Sequence, residues 1–123
     1  MKHLITGVCC VLAVAVSASA RAADAKNGAT VFNRCLICHS NSKGAPAKIG
    51  PNLFGVVGRK AGTAPGFNYS AAMKGSGIVW TDDKLKVYLA HPGQVVQGTR
   101  MTFAGISNPR DVDDVVAYLD TLK

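Results

Sequence analysis

The chain has little of what most enzymes and most β-proteins are built from. It has three histidines (His3, His39 and His91), four cysteines, one tryptophan and seven acidic residues against 14 basic ones. Imidazoles, the commonest general acid–base groups, are thus scarce. No stretch alternates apolar and polar residues long enough to make a strand, and there is no repeat or low-complexity segment. Extended sheets, solenoids and disordered tails are thereby excluded. Basic residues are scattered, with no run longer than Arg59-Lys60, which argues against nucleic acid. The excess of positive charge, +7 over all 123 residues, fits a surface that steers the protein toward an acidic partner, or one kept basic for solubility.

No apolar run is long enough to span a bilayer comfortably. Lys2 and His3 form a short basic start, and Leu4 to Val16 is apolar but short. Ser17-Ala18-Ser19-Ala20-Arg21-Ala22 follows with small-residue A-x-A sites. This is the pattern of a secretory signal peptide cut near Ala20 to Ala23. An uncleaved anchor is the rival reading. We therefore expect residues 1–22 to be a cleaved leader and 23–123 a single domain in the periplasm, with no stable membrane insertion. Removing Lys2 and Arg21 leaves 12 basic residues against seven acidic, a balance of +5. Cys9 and Cys10 leave with the leader, so no structural disulfide framework remains.

The two cysteines that stay are Cys35 and Cys38, in Cys35-Leu36-Ile37-Cys38-His39. Two thiols three positions apart, followed at once by an imidazole, make the attachment signature of a c-type haem. Each thiol adds across one porphyrin vinyl group, and the histidine nitrogen ligates iron. Two other readings exist. A thioredoxin-like dithiol should follow a strand in a βαβ unit, whereas the residues before Cys35 carry helical spacing. A zinc site usually needs four protein ligands, and the chain offers few candidates beyond this cluster.

The remainder reads as helices joined by glycine-rich loops. Gly28, Val31, Phe32 and Cys35 share one helical face after Asp24. The glycine in that face costs helix stability and implies close approach of another element. Ser70 caps a short helix through Lys74. Thr81, Asp82 and Asp83 open a second long helix carrying Leu85, Tyr88 and Leu89, which Pro92 stops. Gly93 to Thr99 reads as irregular. Asn108-Pro109 opens the last helix, striped by Val112, Val115, Val116, Leu119 and Leu122. Loops this long in so small a domain need something to pack against, and a haem supplies it. Pro51 offers a carbonyl for the second nitrogen of His39. Arg59 and Trp80 are candidate partners for haem propionates. For the second axial position of iron the sequence offers Met101 on a loop, Met73 in a short helix, His91, or no protein ligand.

From about Gly28 to Leu119 the chain resembles the class I cytochromes c, in particular the soluble bacterial cytochrome c2 group related to the mitochondrial protein. The residues that carry the likeness are Gly28, Phe32, Cys35, Cys38, His39, Gly50-Pro51-Asn52-Leu53, Gly58-Arg59, Ala64-Pro65-Gly66-Phe67, Tyr69, Trp80, Tyr88-Leu89, Gly98-Thr99, Met101, Phe103-Ala104-Gly105 and Tyr118-Leu119. The resemblance implies an all-α cytochrome c fold, three main helices and glycine-rich loops wrapped around one covalently attached haem c. It implies that Cys35 and Cys38 hold the haem, that His39 and Met101 ligate iron, and that Pro51 accepts from His39. By the same likeness Arg59, Tyr69 and Trp80 surround the propionates, Tyr88 lies near the Met101 sulfur, and Phe103 shields the haem edge. Gly28 and Phe32 pack against Tyr118.

The chain departs from the pattern at Gln97, where the family has proline, and at Arg100, where it has lysine. Gly93 and Gln94 replace lysines, and Met73 stands where asparagine is common. The expected function is a soluble, monomeric one-electron carrier in the periplasm and not an enzyme. Its partners would be redox proteins with acidic docking faces: a cytochrome bc1-type donor, and an oxidase, reductase or photosynthetic reaction centre as acceptor. The rival roles are a dedicated electron-entry subunit of a larger redox enzyme, and a haem enzyme or gas sensor.

Overall fold

The computed structural model describes residues 13–15 and 21–123. Most of the expected leader, with Cys9 and Cys10, lies outside the described residues. Among the described residues no helix is long and apolar enough to cross a membrane.

Five helices follow one another: α1 (Ala25–Phe32), α2 (Ala71–Lys74), α3 (Asp82–Ala90), α4 (Pro92–Val95) and α5 (Pro109–Asp120). Four begin where the sequence supplies a capping side chain. Asp24 accepts from the amides of Lys26 at 2.9 Å and Asn27 at 3.2 Å. Ser70 accepts from Met73, Thr81 from Lys84 and Asn108 from Arg110. Each cap satisfies an amide that the first helical turn leaves without a partner.

Two boundaries differ from the sequence-based expectation. The first helix stops at Phe32 and does not run to Cys35. From there the chain tightens into turns, with the Cys35 amide bonded to Phe32 O at 2.8 Å and the Asn33 amide to Thr30 O at 3.2 Å. Of the stretch Gly93 to Thr99, expected to be irregular, Gly93 to Val95 are helical and only Val96 to Thr99 are irregular, because Pro92 both ends α3 and starts α4. Its fixed φ suits a first helical position, where the missing N–H costs nothing.

The three longer helices build the core. α1 packs on α5, and α3 packs on α5 as well. Val31, Phe32, Leu85, Tyr88, Val112, Val115, Val116 and Leu119 interlock there with Trp80, Val56, Ala61 and Ile106. Phe32 and Tyr118 meet with ring centroids 5.0 Å apart. The glycine inside α1 has its cause here: a Cβ on Gly28 would come within 2.8 Å of Tyr118 Cβ and would overlap the Asp114 backbone. Only a bare backbone lets α1 sit this close to α5.

The loops are tied to this frame by backbone hydrogen bonds. Gly58 and Ala61 donate to the carbonyls of Trp80 and Ile78, and Trp80 returns a bond to Arg59 O. Lys60 and Val79 form an isolated antiparallel bridge, the one strand-like pairing among the described residues. Ile106 N–H bonds Leu89 O at 2.8 Å, anchoring the segment that carries Met101 to the end of α3.

Candidate haem site

Cys35, Cys38 and His39 lie in the tightened turns after α1. The amides of Cys38 and His39 both bond to Cys35 O, at 3.0 and 2.9 Å. One coil of chain thus holds both thiols and the imidazole together. The thiols are free and partly buried. Burial pushes the Cys35 thiol up from its ordinary value and neighbouring Cys38 adds to the rise, while Arg34 opposes both. Cys35 is therefore held as a neutral thiol at neutral pH.

The imidazole of His39 is fixed at one nitrogen. Nδ1 lies 2.7 Å from Pro51 O. A carbonyl only accepts, so Nδ1 carries the proton and Nε2 keeps its lone pair. Burial pushes the imidazole toward its neutral form, as do nearby Lys48 and Arg59, while the bond to Pro51 opposes the shift. The turn that presents Pro51 is itself sewn to the motif: Gly50 N–H bonds Cys38 O at 2.8 Å, and Leu53 N–H bonds Ser40 O at 2.9 Å. Gly50 lies flush against the ring, where a Cβ would stand 2.5 Å from Cε1 and 2.8 Å from Nδ1 of His39.

Met101 sits on the loop between α4 and α5. Its amide donates to Thr99 Oγ1 at 3.2 Å, and the Tyr88 hydroxyl donates to its sulfur at 3.7 Å. Burial pushes the Tyr88 phenol up, so it stays protonated and able to donate. Tyr88 in turn packs on Trp80, centroids 4.7 Å apart at 49°. Trp80 is buried, and Met101 and Phe103 are partly buried against the same cluster. Helix α3 thus places a hydroxyl at the Met101 thioether. Of the other candidates, Met73 packs against the core from α2, and His91 is exposed between α3 and α4.

Arg59 and Tyr69 have protein partners that the sequence does not announce. The Arg59 guanidinium donates to Asn52 O at 3.0 Å and to Phe54 O at 3.3 Å. Burial lowers its pKa, and Tyr69 works against that shift. The buried Tyr69 hydroxyl accepts from the Ala64 amide at 3.1 Å, and its ring stands edge-on to Phe67. Both side chains brace loops. Thr99 and Gly50 are the site residues that reasoning from single positions misses. A glycine before Pro51 reads as an ordinary turn signal, and only the ring pressed against it reveals its role.

The rival readings of the cysteine pair fail on this geometry. Among the described residues there is no strand ahead of Cys35 to make a βαβ dithiol, and no group of three or more His, Cys, Asp and Glu side chains that would hold a metal ion. The donor set that is present suits a haem: two adjacent thiols, an imidazole with a free lone pair, and a thioether on a separate loop. The family model described as cytochrome c matches residues 25–123. The chain belongs to the cytochrome c family.

The cytochrome is 45% identical to cytochrome c2 of Blastochloris viridis over 119 residues, 97% of this chain and 92% of that protein. It is 51% identical to cytochrome c2 of Rhodomicrobium vannielii over 106 residues, 85% of each. Among solved structures, cytochrome cH from Methylobacterium extorquens superposes with a TM-score of 0.76 at 46% identity, covering 80% of this chain and 98% of that one. The all-α cytochrome c fold expected from the sequence is therefore the fold of this chain. Family membership makes it an electron carrier and not an enzyme, implies a covalently attached haem c, and implies redox partners.

Proposed function

We propose that this cytochrome is a periplasmic one-electron shuttle whose haem c is held by thioether bonds at Cys35 and Cys38, with His39 Nε2 and Met101 Sδ as the two axial ligands. The observation that carries this reading is the fixed tautomer of His39: with Nδ1–H given to Pro51 O at 2.7 Å, Nε2 is left as the donor. When bound, the haem supplies a ferrous–ferric couple. The chain's part is to hold, shield and tune. Pro51 orients His39 and raises its donor strength. Tyr88 steadies the Met101 sulfur, and Thr99 fixes the backbone that presents it. Arg59, Tyr69 and Trp80 flank the propionates, and Phe103 covers the haem edge.

Residues 1–22 form the leader in this reading, and the mature carrier is a monomer that neither inserts in a membrane nor binds nucleic acid. The likeness to the Blastochloris protein supports a leader, since 97% coverage of this chain reaches well into the stretch ahead of Ala23.

The docking edge lies around the thioethers. Ile37 and Ile49 are 72% and 76% exposed. They are neighbours, because Gly50 N–H bonds Cys38 O and Lys48 Nζ reaches Leu36 O. Two exposed isoleucines beside Lys48 make an apolar centre with a basic flank, and Arg34, Lys43 and Arg100 add exposed positive charge to the surface. That suits brief docking to a donor of the cytochrome bc1 type and to an acidic oxidase, reductase or reaction-centre acceptor.

Small-molecule oxidants of opposite charge test the edge without a partner. Oxidation of the reduced protein by ferricyanide should slow as ionic strength rises, and oxidation by a cationic cobalt complex should accelerate. Equal indifference of both rates to salt would remove the basic edge.

A further inference from the structure

Asp114 is a buried charge that electron transfer does not use. It is 1% exposed on the apolar stripe of α5, and the sequence alone gives it no role. Its carboxylate is nonetheless fully engaged. Oδ1 accepts from the Asp24 amide at 2.7 Å, and Oδ2 accepts from Asn27 Nδ2 at 2.7 Å and from the Arg21 guanidinium at 3.2 Å. All three donors come from one short stretch, 21–27, at the opening of α1. A buried carboxylate is costly unless hydrogen-bonded and paired with a positive charge. The only cation paired with it among the described residues is Arg21, and Arg21 lies inside the expected cleavage window, Ala20 to Ala23.

We infer that Asp114 is the receptor for the cationic start of the processed chain: where removal of the leader takes Arg21 with it, the ion pair passes to the newly made α-ammonium, and where Arg21 becomes the first residue its side chain keeps the pair. The inference rests on the reading of residues 1–22 as a leader. Hydrolysis of the peptide bond consumes one water, leaves a carboxylate on the leader and an ammonium on the mature chain.

Covalent geometry then does the placing. A cut after Ala22 puts the new nitrogen on Ala23, within about 3.6 Å of the Asp24 nitrogen along the chain. That nitrogen already lies 2.7 Å from Asp114 Oδ1. A cut after Ala23 makes the Asp24 nitrogen itself the ammonium. A cut after Ala20 leaves Arg21 in place. Each alanine in the window thus delivers one positive charge to the same carboxylate.

Of the other charges nearby among the described residues, only Asp24 shares Arg21, at a longer distance than Asp114 does. Asp24 caps α1 and sits 3.8 Å from Arg21, Lys26 is exposed, and Asp113 on α5 pairs with Lys86 at 3.2 Å. The bonds from Asp24 and Asn27 hold the Asp114 carboxyl below its ordinary value against the effect of burial, and Arg21 adds to this. The sign follows from linkage: this stabilisation is present above the unfolded carboxylate value and is lost as pH falls through the lowered one. For the ammonium it is the reverse, lost as pH rises through its raised value.

The test uses the holoprotein exported with its own leader. Its intact mass gives the first residue, expected to be Arg21, Ala23 or Asp24. A retained leader, or a start beyond Asp24, overturns the leader reading on which the inference stands. The α-amine is then marked by reductive methylation with ¹³C-formaldehyde and titrated by NMR. With Ala23 or Asp24 first, it should titrate above the ordinary α-amino value of about 7.7–8.0. It should fall back to that range in Asp114→Asn. It should also fall back when two glycines are inserted between Ala23 and Asp24, a change that leaves α5 untouched. With Arg21 first, Arg21→Gln should move the acid-unfolding midpoint to higher pH. An ordinary α-amine in the wild type starting at Ala23 or Asp24, or no effect of Arg21→Gln where Arg21 is first, would overturn the receptor role while leaving the leader intact.

Discussion

At the residue scale, the site depends on small side chains as much as on ligands. Gly50 has no side chain because the His39 ring occupies the place where one would be. Gly50→Ala should push the imidazole off Pro51 O and misalign Nε2. We expect a protein that attaches haem in reduced yield and whose ferric spectrum is heterogeneous at the His39 position, read by electron paramagnetic resonance. A single unaltered low-spin species would refute the contact. How much is legible residue by residue depends on sequence separation. Cys35, Cys38 and His39 are readable because their chemistry is written within five positions. Met101 is readable only as one of several candidates, since its partner Tyr88 stands 13 positions away on another element. Asp114 is not readable at all. Its donors lie 87 to 93 positions back, and an acid between Asp113 and Val115 looks like helix surface.

At the element scale, the capped helix starts and the ends at Lys74 and before Pro92 are plain in the sequence, whereas the end of α1 and the start of α4 are not. Starts are set by a capping side chain whose bond is two or three residues away, a local matter. Ends are set by what the next segment must do. Phe32 ends α1 because the chain has to coil tightly to hold Cys35 and Cys38 beside His39, a demand invisible in the periodicity. Pro92 reads as a stop, and its equal fitness to begin α4 shows only once the backbone has left helical geometry at His91, with φ of −143° and ψ of 65°. The contact between α1 and α5 carries its own prediction. Gly28→Ala must separate the helices or distort α5, because its Cβ would meet Tyr118 and the Asp114 backbone. Overpacking of this kind costs about 1–3 kcal/mol, and backbone contact places Gly28→Ala at the upper end. The measurement is the denaturation midpoint of the haem-loaded protein, and an unchanged midpoint would mean that α1 has room to spare.

At the scale of the whole molecule, the question is what the loops pack against. Three helices of 8, 9 and 12 residues and two short ones leave most of the described residues outside regular structure, more than a core of this size holds unaided. We propose that the haem completes that core. Cys35→Ala combined with Cys38→Ala should give a chain without a cooperative thermal transition in far-ultraviolet circular dichroism. A sharp transition without attached haem would show the loops to be self-supporting. Sequence composition foreshadows this dependence, since it has too few strands, disulfides or long apolar runs to build a core otherwise. The distinction between an electron carrier and a reactive haem rests finally on whether both axial positions are closed. The most direct measurement is the near-infrared absorption of the ferric protein at neutral pH, where sulfur-to-iron charge transfer gives a weak band. The band should be present in the wild type and lost in Met101→Ala. Its absence from the wild type, or its survival in the variant, would contradict Met101 ligation and with it the closed site.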